Sequence, residues 1–128
     1  MSLRNALLVI LGLLLVFVVF DAVFDKPEGA MRDVPDRIRG SWVTSHPDYS
    51  DRYLEFRAES VTFGTGGVTS QTFDVTGFDS LRESDGRELN TVYFRSVDGS
   101  AFSRQFHFSE EGQRTLVFVN QPDVIWTQ

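Results

Sequence analysis

Cysteine is absent from the 128 residues of this chain, and its absence excludes several kinds of chemistry. Without a thiol there is no disulfide, no thiolate nucleophile, no cysteine-ligated zinc and no lipid-modified cysteine. Proline is scarce as well, and none lies between Pro47 and Pro122. Because proline cannot donate a hydrogen bond to a β-ladder, this long interval without it is what an extended sheet requires.

Positive charge is also in deficit. The chain has 12 basic and 18 acidic residues, which gives a formal net charge of −6. An acidic surface repels the phosphates of nucleic acids and of anionic lipids. We therefore expect no nucleic-acid partner.

Residues with an obvious chemical role are few. The loop His46-Pro47-Asp48-Tyr49-Ser50-Asp51 matches no zinc or calcium spacing and is typical of a turn. The other histidine, His107, lies between two phenylalanines of a predicted strand and should face away from the core. Gly64-Thr65-Gly66-Gly67 lacks the lysine and the following helix of a phosphate-binding loop. No Gly-x-Ser-x-Gly elbow is present. We expect no catalytic residue, no metal site and no cofactor.

What the chain has in abundance is apolar sequence at its N-terminus. Residues 6–20 carry no charge, and after Asp21 the apolar run resumes through Phe24. This length approaches the roughly 20 residues that span a bilayer at about 1.5 Å per residue. No pair of small residues follows at the spacing of a signal-peptidase site. We interpret residues 1–24 as an uncleaved signal-anchor with residues 6–24 in the membrane; a cleaved signal with a poor site is the alternative.

The orientation of this predicted single-pass anchor rests on the residues around it. A four-residue head containing Arg4 resembles the secretory arrangement, which favours an exported C-terminal domain, periplasmic or extracellular. Lys26, Arg32, Arg37 and Arg39 favour the opposite orientation when basic residues alone are counted. We expect export, because the basic residues after the anchor are mixed with acidic ones.

The rest of the chain divides into a linker and one β-domain. Residues 25–39 are interpreted as a linker ending in a short helical turn, and residues 40–128 as a single domain. Clusters of Gly, Pro, Asp and Ser recur at regular intervals and mark turns between β-rich runs. The strands are predicted near residues 40–44, 52–57, 60–64, 70–83, 88–97, 101–108, 114–120 and 123–127.

Apolar side chains alternate along several of these runs, which places them on one face of the sheet. A one-sided apolar pattern on about eight short strands predicts an antiparallel up-and-down meander that closes into a small barrel. The fold class is therefore all-β, preceded by one transmembrane helix. The residues predicted to face the interior are Leu54, Phe56, Phe63, Phe73, Phe106, Phe108 and Phe118.

Two tryptophans lie near the ends of the meander. Gly40-Ser41-Trp42 opens the first strand after the linker turn, and Trp126 lies in the last strand; if the sheet closes, these strands pair. A Gly-x-Trp in this place, followed by a meander, resembles the lipocalin or calycin pattern over residues 36–128. The resemblance implies structural roles for Gly40 and Trp42, with Arg114 as the late arginine that packs over the tryptophan. It also implies a barrel that holds a small apolar ligand.

Two functions follow as hypotheses. The first is a membrane-anchored, non-enzymatic barrel that binds a small apolar ligand or lipid at the membrane surface through the interior residues above. The second is a protein–protein interaction module of an envelope complex, with a packed barrel and no ligand. The Phe residues beyond the anchor are large enough to fill a barrel of short strands, so both stay open. An enzyme ranks third.

Overall fold

A computed structural model describes residues 29–66 and 69–128 of the chain. In this part every strand pairs antiparallel with the next, and the last pairs with the first, so the sheet is a closed eight-stranded barrel. The predicted all-β antiparallel barrel is confirmed. The strands are β1 (Gly40–Thr44), β2 (Tyr53–Phe56), β3 (Ser60–Gly66), β4 (Thr69–Arg82), β5 (Glu88–Arg95), β6 (Ala101–Ser109), β7 (Thr115–Phe118) and β8 (Trp126–Thr127).

The predicted membrane anchor, residues 1–24, lies outside the described residues. Within residues 29–66 and 69–128, no helix combines the length and the apolar character needed to cross a membrane. The anchor therefore stays a prediction.

The last two strands are shorter than the sequence pattern predicts. Between them the chain turns twice: the N–H of Gln121 bonds to the carbonyl of Phe118 at 3.0 Å, and that of Val124 to the carbonyl of Gln121 at 3.1 Å. These backbone groups are then no longer available to the ladder. As a result β8 has only two residues, and it still closes the barrel through Thr44↔Trp126 and Leu116↔Trp126.

Residues 31–39, expected to belong to the linker, pack against the barrel. Met31 and Phe78 exchange two backbone hydrogen bonds of 2.8 and 2.7 Å, at a point on β4 beyond the reach of β3, whose pairing ends at Asp74. Val34 and Ile38 are fully buried in the core. The segment therefore covers an open edge of β4 and closes one end of the barrel.

The two ends of the barrel differ. We call the base the end where β1 begins and where the loops after β2, β4 and β6 lie; the mouth is the opposite end. At the base, the indole N–H of Trp42 donates to the carbonyl of Ile38 at 2.9 Å. Gly40 has φ +121°, and a Cβ there would lie 2.9 Å from the side-chain nitrogen of Gln128. The Gly-x-Trp sequence is thus explained by a backbone conformation that favours glycine and by a crowded closure.

Candidate functional site

The lower half of the barrel interior is filled by aromatic rings. Phe56 on β2 and Phe106 on β6 have ring centroids 5.8 Å apart, although these strands stand four positions apart in a ring of eight. Phe106 also meets Phe78 at 6.1 Å and Phe118 at 6.0 Å. Because rings from opposite walls touch, no open lumen passes through this level.

The upper half of the interior holds a second aromatic cluster. Phe73 lies at the centre, with centroid distances of 5.8 Å to Phe63, 5.1 Å to Phe94 and 6.0 Å to Phe102. Phe102 is half-buried, whereas the other three are buried. This cluster is the aromatic part of the interior that comes nearest to solvent.

One cation lies among these rings. The side chain of Arg104 is on β6, and the residue is only 6% exposed. Its guanidinium carbon is 4.2 Å from the centroid of Phe118 and 5.4 Å from that of Phe63, within the range of cation–π attraction. Burial removes hydration from the charged form and lowers the pKa of Arg104 to about 10. The group still carries its charge at neutral pH.

Sequence reasoning missed Arg104, although the signal was present. Arg104 occupies an even-numbered position of β6, in step with Phe102, Phe106 and Phe108. Period-2 alternation therefore assigns it to the inner face. A charged residue is rarely buried, so the strand pattern was interpreted through its phenylalanines alone.

Reversing the charge at this position should destabilise the barrel strongly. Arg104→Glu places a carboxylate against the negative faces of Phe63 and Phe118, and we expect a loss of at least about 3 kcal/mol in the free energy of unfolding. The matched variant Arg104→Met keeps the apolar stem of the side chain. We expect its loss in the free energy of unfolding to be smaller than that of Arg104→Glu by about 1–2 kcal/mol or more. Urea denaturation measures both. Equal losses would contradict a role for the charge against the rings.

The seven interior residues predicted from alternation are brought together by the fold. All of them belong to one buried core cluster, on five different strands. Whether they bind a ligand stays a prediction. They are Leu54, Phe56, Phe63, Phe73, Phe106, Phe108 and Phe118.

The residues expected to have structural roles lie around the base and the closing strands. Trp42 stands edge-on to Phe108 at 6.1 Å, and Trp126 edge-on to Phe118 at 6.5 Å. The guanidinium carbon of Arg114 lies 6.0 Å from the Phe108 centroid, so it reaches the ring that packs on Trp42. Arg114 also donates to the side chain of Gln128 at 3.1 Å.

An open cleft of about 640 Å³ lies at the base, between the loops after β4 and β6. Two contacts lie at its rim: His107 shares a hydrogen bond of 2.5 Å with Glu83, and Arg37 forms an ion pair with Glu88 at 3.4 Å. The backbone N–H and the guanidinium of Arg87 both donate to Asp85 and lower the pKa of that carboxyl. A cleft with such balanced charge gives no clear preference for an ionic ligand.

No group of three or more His, Asp or Glu side chains able to hold a metal ion occurs within residues 29–66 and 69–128.

At the mouth of the barrel, hydrogen bonds within the loop after β5 lower the pKa of the Asp98 carboxyl. There the Ser96 hydroxyl and the Ser100 N–H donate to the carboxylate and lower its pKa to about 2. This is turn chemistry of the loop after β5.

The outer wall carries exposed apolar side chains on β1, on β2 and immediately before β8, which we call the apolar ridge: Val43, Tyr53 and Ile125. Val43 is directly opposite Tyr53, and Ile125 precedes Trp126, the partner of Thr44. The Tyr53 ring lies over Gly64, where a Cβ would come within 2.3 Å of it. Glycine at position 64 therefore lets the ring lie against the sheet. Sequence reasoning missed the ridge, because it considered the apolar side chains that face the interior of the barrel and not those that face outward.

No protein-family model, curated protein or solved structure matches this chain.

Proposed function

We propose that this protein is a membrane-anchored, non-enzymatic barrel that works as an interaction module, docking through its outer wall on another protein of the same membrane. The observation that carries the proposal is the contact between Phe56 and Phe106, whose rings meet across the barrel at 5.8 Å. A barrel filled in this way has little interior left for a ligand. Its outer surface is then the part available for binding.

The apolar ridge supports a protein partner. Val43, Tyr53 and Ile125 are each more than a third exposed; Val43 and Tyr53 are directly opposite each other on β1 and β2, and Ile125 immediately precedes β8, which pairs with β1. Neighbouring apolar side chains on an outer wall are a common mark of a protein interface. A second copy of the chain is a poorer occupant, because two copies with a net charge of −6 repel each other.

The membrane assignment is supported by the sequence. Residues 6–24 contain one charged residue, Asp21, and an apolar run of this length suits a single span. The short head containing Arg4 supports export of the barrel. A barrel tethered in this way meets its partners at the membrane surface.

The test is the dependence of a complex on the ridge. We expect the full chain, extracted in mild detergent, to run on a native gel as a discrete complex with a different protein. Val43→Asp should abolish it, because docking would desolvate the new charge. The matched control Gln105→Asp, an exposed site on β6, should leave it intact.

Three results would contradict the docking proposal. A chain of 14.5 kDa that runs as a monomer has no stable partner. A complex of two copies alone makes the ridge a self-association surface. A complex equally weakened by Val43→Asp and Gln105→Asp does not depend on the ridge.

A second candidate function is the binding of a small apolar ligand at the mouth, in the manner of lipocalins, which the Gly40-x-Trp42 sequence resembles. The observation that favours it is the cluster of Phe73, Phe94 and half-buried Phe102, with the cation of Arg104 below it. A ligand there is confined to the upper half. Native mass spectrometry of the gently extracted protein tests it: a bound small molecule at one-to-one ratio supports it, and a mass equal to the bare chain contradicts it.

A further inference from the structure

The chain is fixed to the barrel soon after the predicted anchor ends. Met31 pairs with Phe78 through two backbone hydrogen bonds, and the N–H of Val34 donates to the carbonyl of Ala58 at 2.9 Å. Val34 and Ile38 are then fully buried. Residues 31–38 are therefore a strap that belongs to the folded domain.

The strap limits how far the barrel can stand from the membrane. Five Cα–Cα steps separate Phe24, the last residue of the predicted anchor, from Gly29, the first described residue. At most about 3.6 Å per residue, those steps reach no more than about 18 Å. This distance is shorter than the barrel, since β6 alone has nine residues and rises about 30 Å. The side of the barrel that holds the strap must therefore stay near the lipid surface.

Two exposed apolar side chains lie toward the base end of that side. Met31 is 45% exposed and Leu81 is 51% exposed; Leu81 lies three residues beyond Phe78, the partner of Met31, along β4. The nearby charges are balanced: Arg87 pairs with Glu83 at 3.9 Å and with Asp85 at 2.7 Å, and Arg82, the last residue of β4, adds a second positive charge. A surface with exposed apolar groups and no net charge suits neutral, zwitterionic headgroups better than anionic ones.

We infer that the barrel is held against zwitterionic lipid headgroups on the side of Met31 and Leu81, with its mouth directed away from the bilayer. The inference rests on the proposed anchor. It also separates two surfaces of the barrel: the strap pairs with β4 at Met31, whereas Val43 and Tyr53 of the apolar ridge are on β1 and β2. A protein partner can then reach the ridge without displacing lipid.

The absence of cysteine makes a direct test available, because a single introduced cysteine gives one label per chain. Leu81→Cys reports on the strap side, and Val97→Cys, at a fully exposed position of the loop after β5, reports on the mouth. Leu81 pairs with Leu89 at the start of β5, so the two labels are separated by at least about 20 Å along that strand. Both sites are exposed, so neither variant should disturb folding.

The full chain, spin-labelled at either site, is reconstituted in phosphatidylcholine nanodiscs that contain a nickel-chelating lipid. We expect the collision rate with lipid-bound nickel to be several-fold higher at position 81 than at position 97. A soluble nickel complex should reach position 97 at least as well as position 81, which controls for label exposure.

The outcomes separate this inference from the proposed anchor. Equal collision rates with lipid-bound nickel, in protein that remains in the disc after carbonate treatment, overturn the orientation and leave the anchor standing. Release of the protein from the disc by carbonate overturns both. A several-fold preference for position 81 that disappears in discs rich in phosphatidylglycerol supports the choice of zwitterionic headgroups, and a preference that grows there overturns that choice.

Discussion

Trp42→Ala is expected to lower the free energy of unfolding by about 3–5 kcal/mol. The side chain is fully buried and touches two different parts of the fold. Its ring stands edge-on to Phe108 at 6.1 Å, and its indole N–H holds the carbonyl of Ile38 at 2.9 Å. Removal leaves a void at the base and frees the strap that closes it. Urea denaturation measures the change, with Trp126 as the remaining fluorescent reporter.

Trp42→Phe is the matched variant. It keeps an aromatic ring against Phe108 and removes the hydrogen bond to Ile38, so we expect a smaller loss of about 1–3 kcal/mol. If Trp42→Ala costs less than about 1 kcal/mol, Trp42 does not carry the core that its burial implies. If the two variants cost the same, the hydrogen bond to the strap is the dominant contribution and ring packing is not.

Alternation along strands was the most reliable guide to this fold. The inner faces of β2, β3 and β6 could be predicted because Leu54, Val61 and Phe106 are each followed, two residues later, by another apolar side chain. A period of two fixes the face once the strand exists. A glycine inside a long β-run indicates a bulge or a bend, and the register between β4 and β5 shifts between Val75 and Gly77.

Two of the features that sequence reasoning missed depend on contacts between distant residues. The strap has only Val34 and Ile38 as buried apolar residues, too few to show a period, and its place is set by the free edge of β4. Arg104 was passed over because burial of a charge depends on surrounding rings that no local pattern reveals. The short β8 follows from turns that use up its backbone groups. The strap and Arg104 show tertiary context overriding a local rule, whereas the short β8 is the result of local turns.

Phe106→Ala is expected to have a comparable effect on stability, with a loss of about 3–5 kcal/mol. Phe106 is fully buried and contacts Phe56, Phe78 and Phe118, so no neighbouring loop can fill the space that its ring leaves. The variant should keep a cavity lined by aromatic side chains. Apolar cavities of this kind stay dry and accept small apolar molecules.

The cavity turns this substitution into a test of the packed interior. If the native barrel is filled, benzene should raise the urea midpoint of Phe106→Ala and leave that of the native chain almost unchanged, because a ligand stabilises only a folded state that binds it. Phe102→Ala is the control: its ring is half-buried at the mouth, so we expect a smaller loss of stability and little benzene binding. Stabilisation of the native chain to the same degree as Phe106→Ala would mean that a lumen already exists. The balance would then move from the interaction module to the ligand-binding barrel, since the ring contact between Phe56 and Phe106 would no longer imply a filled interior.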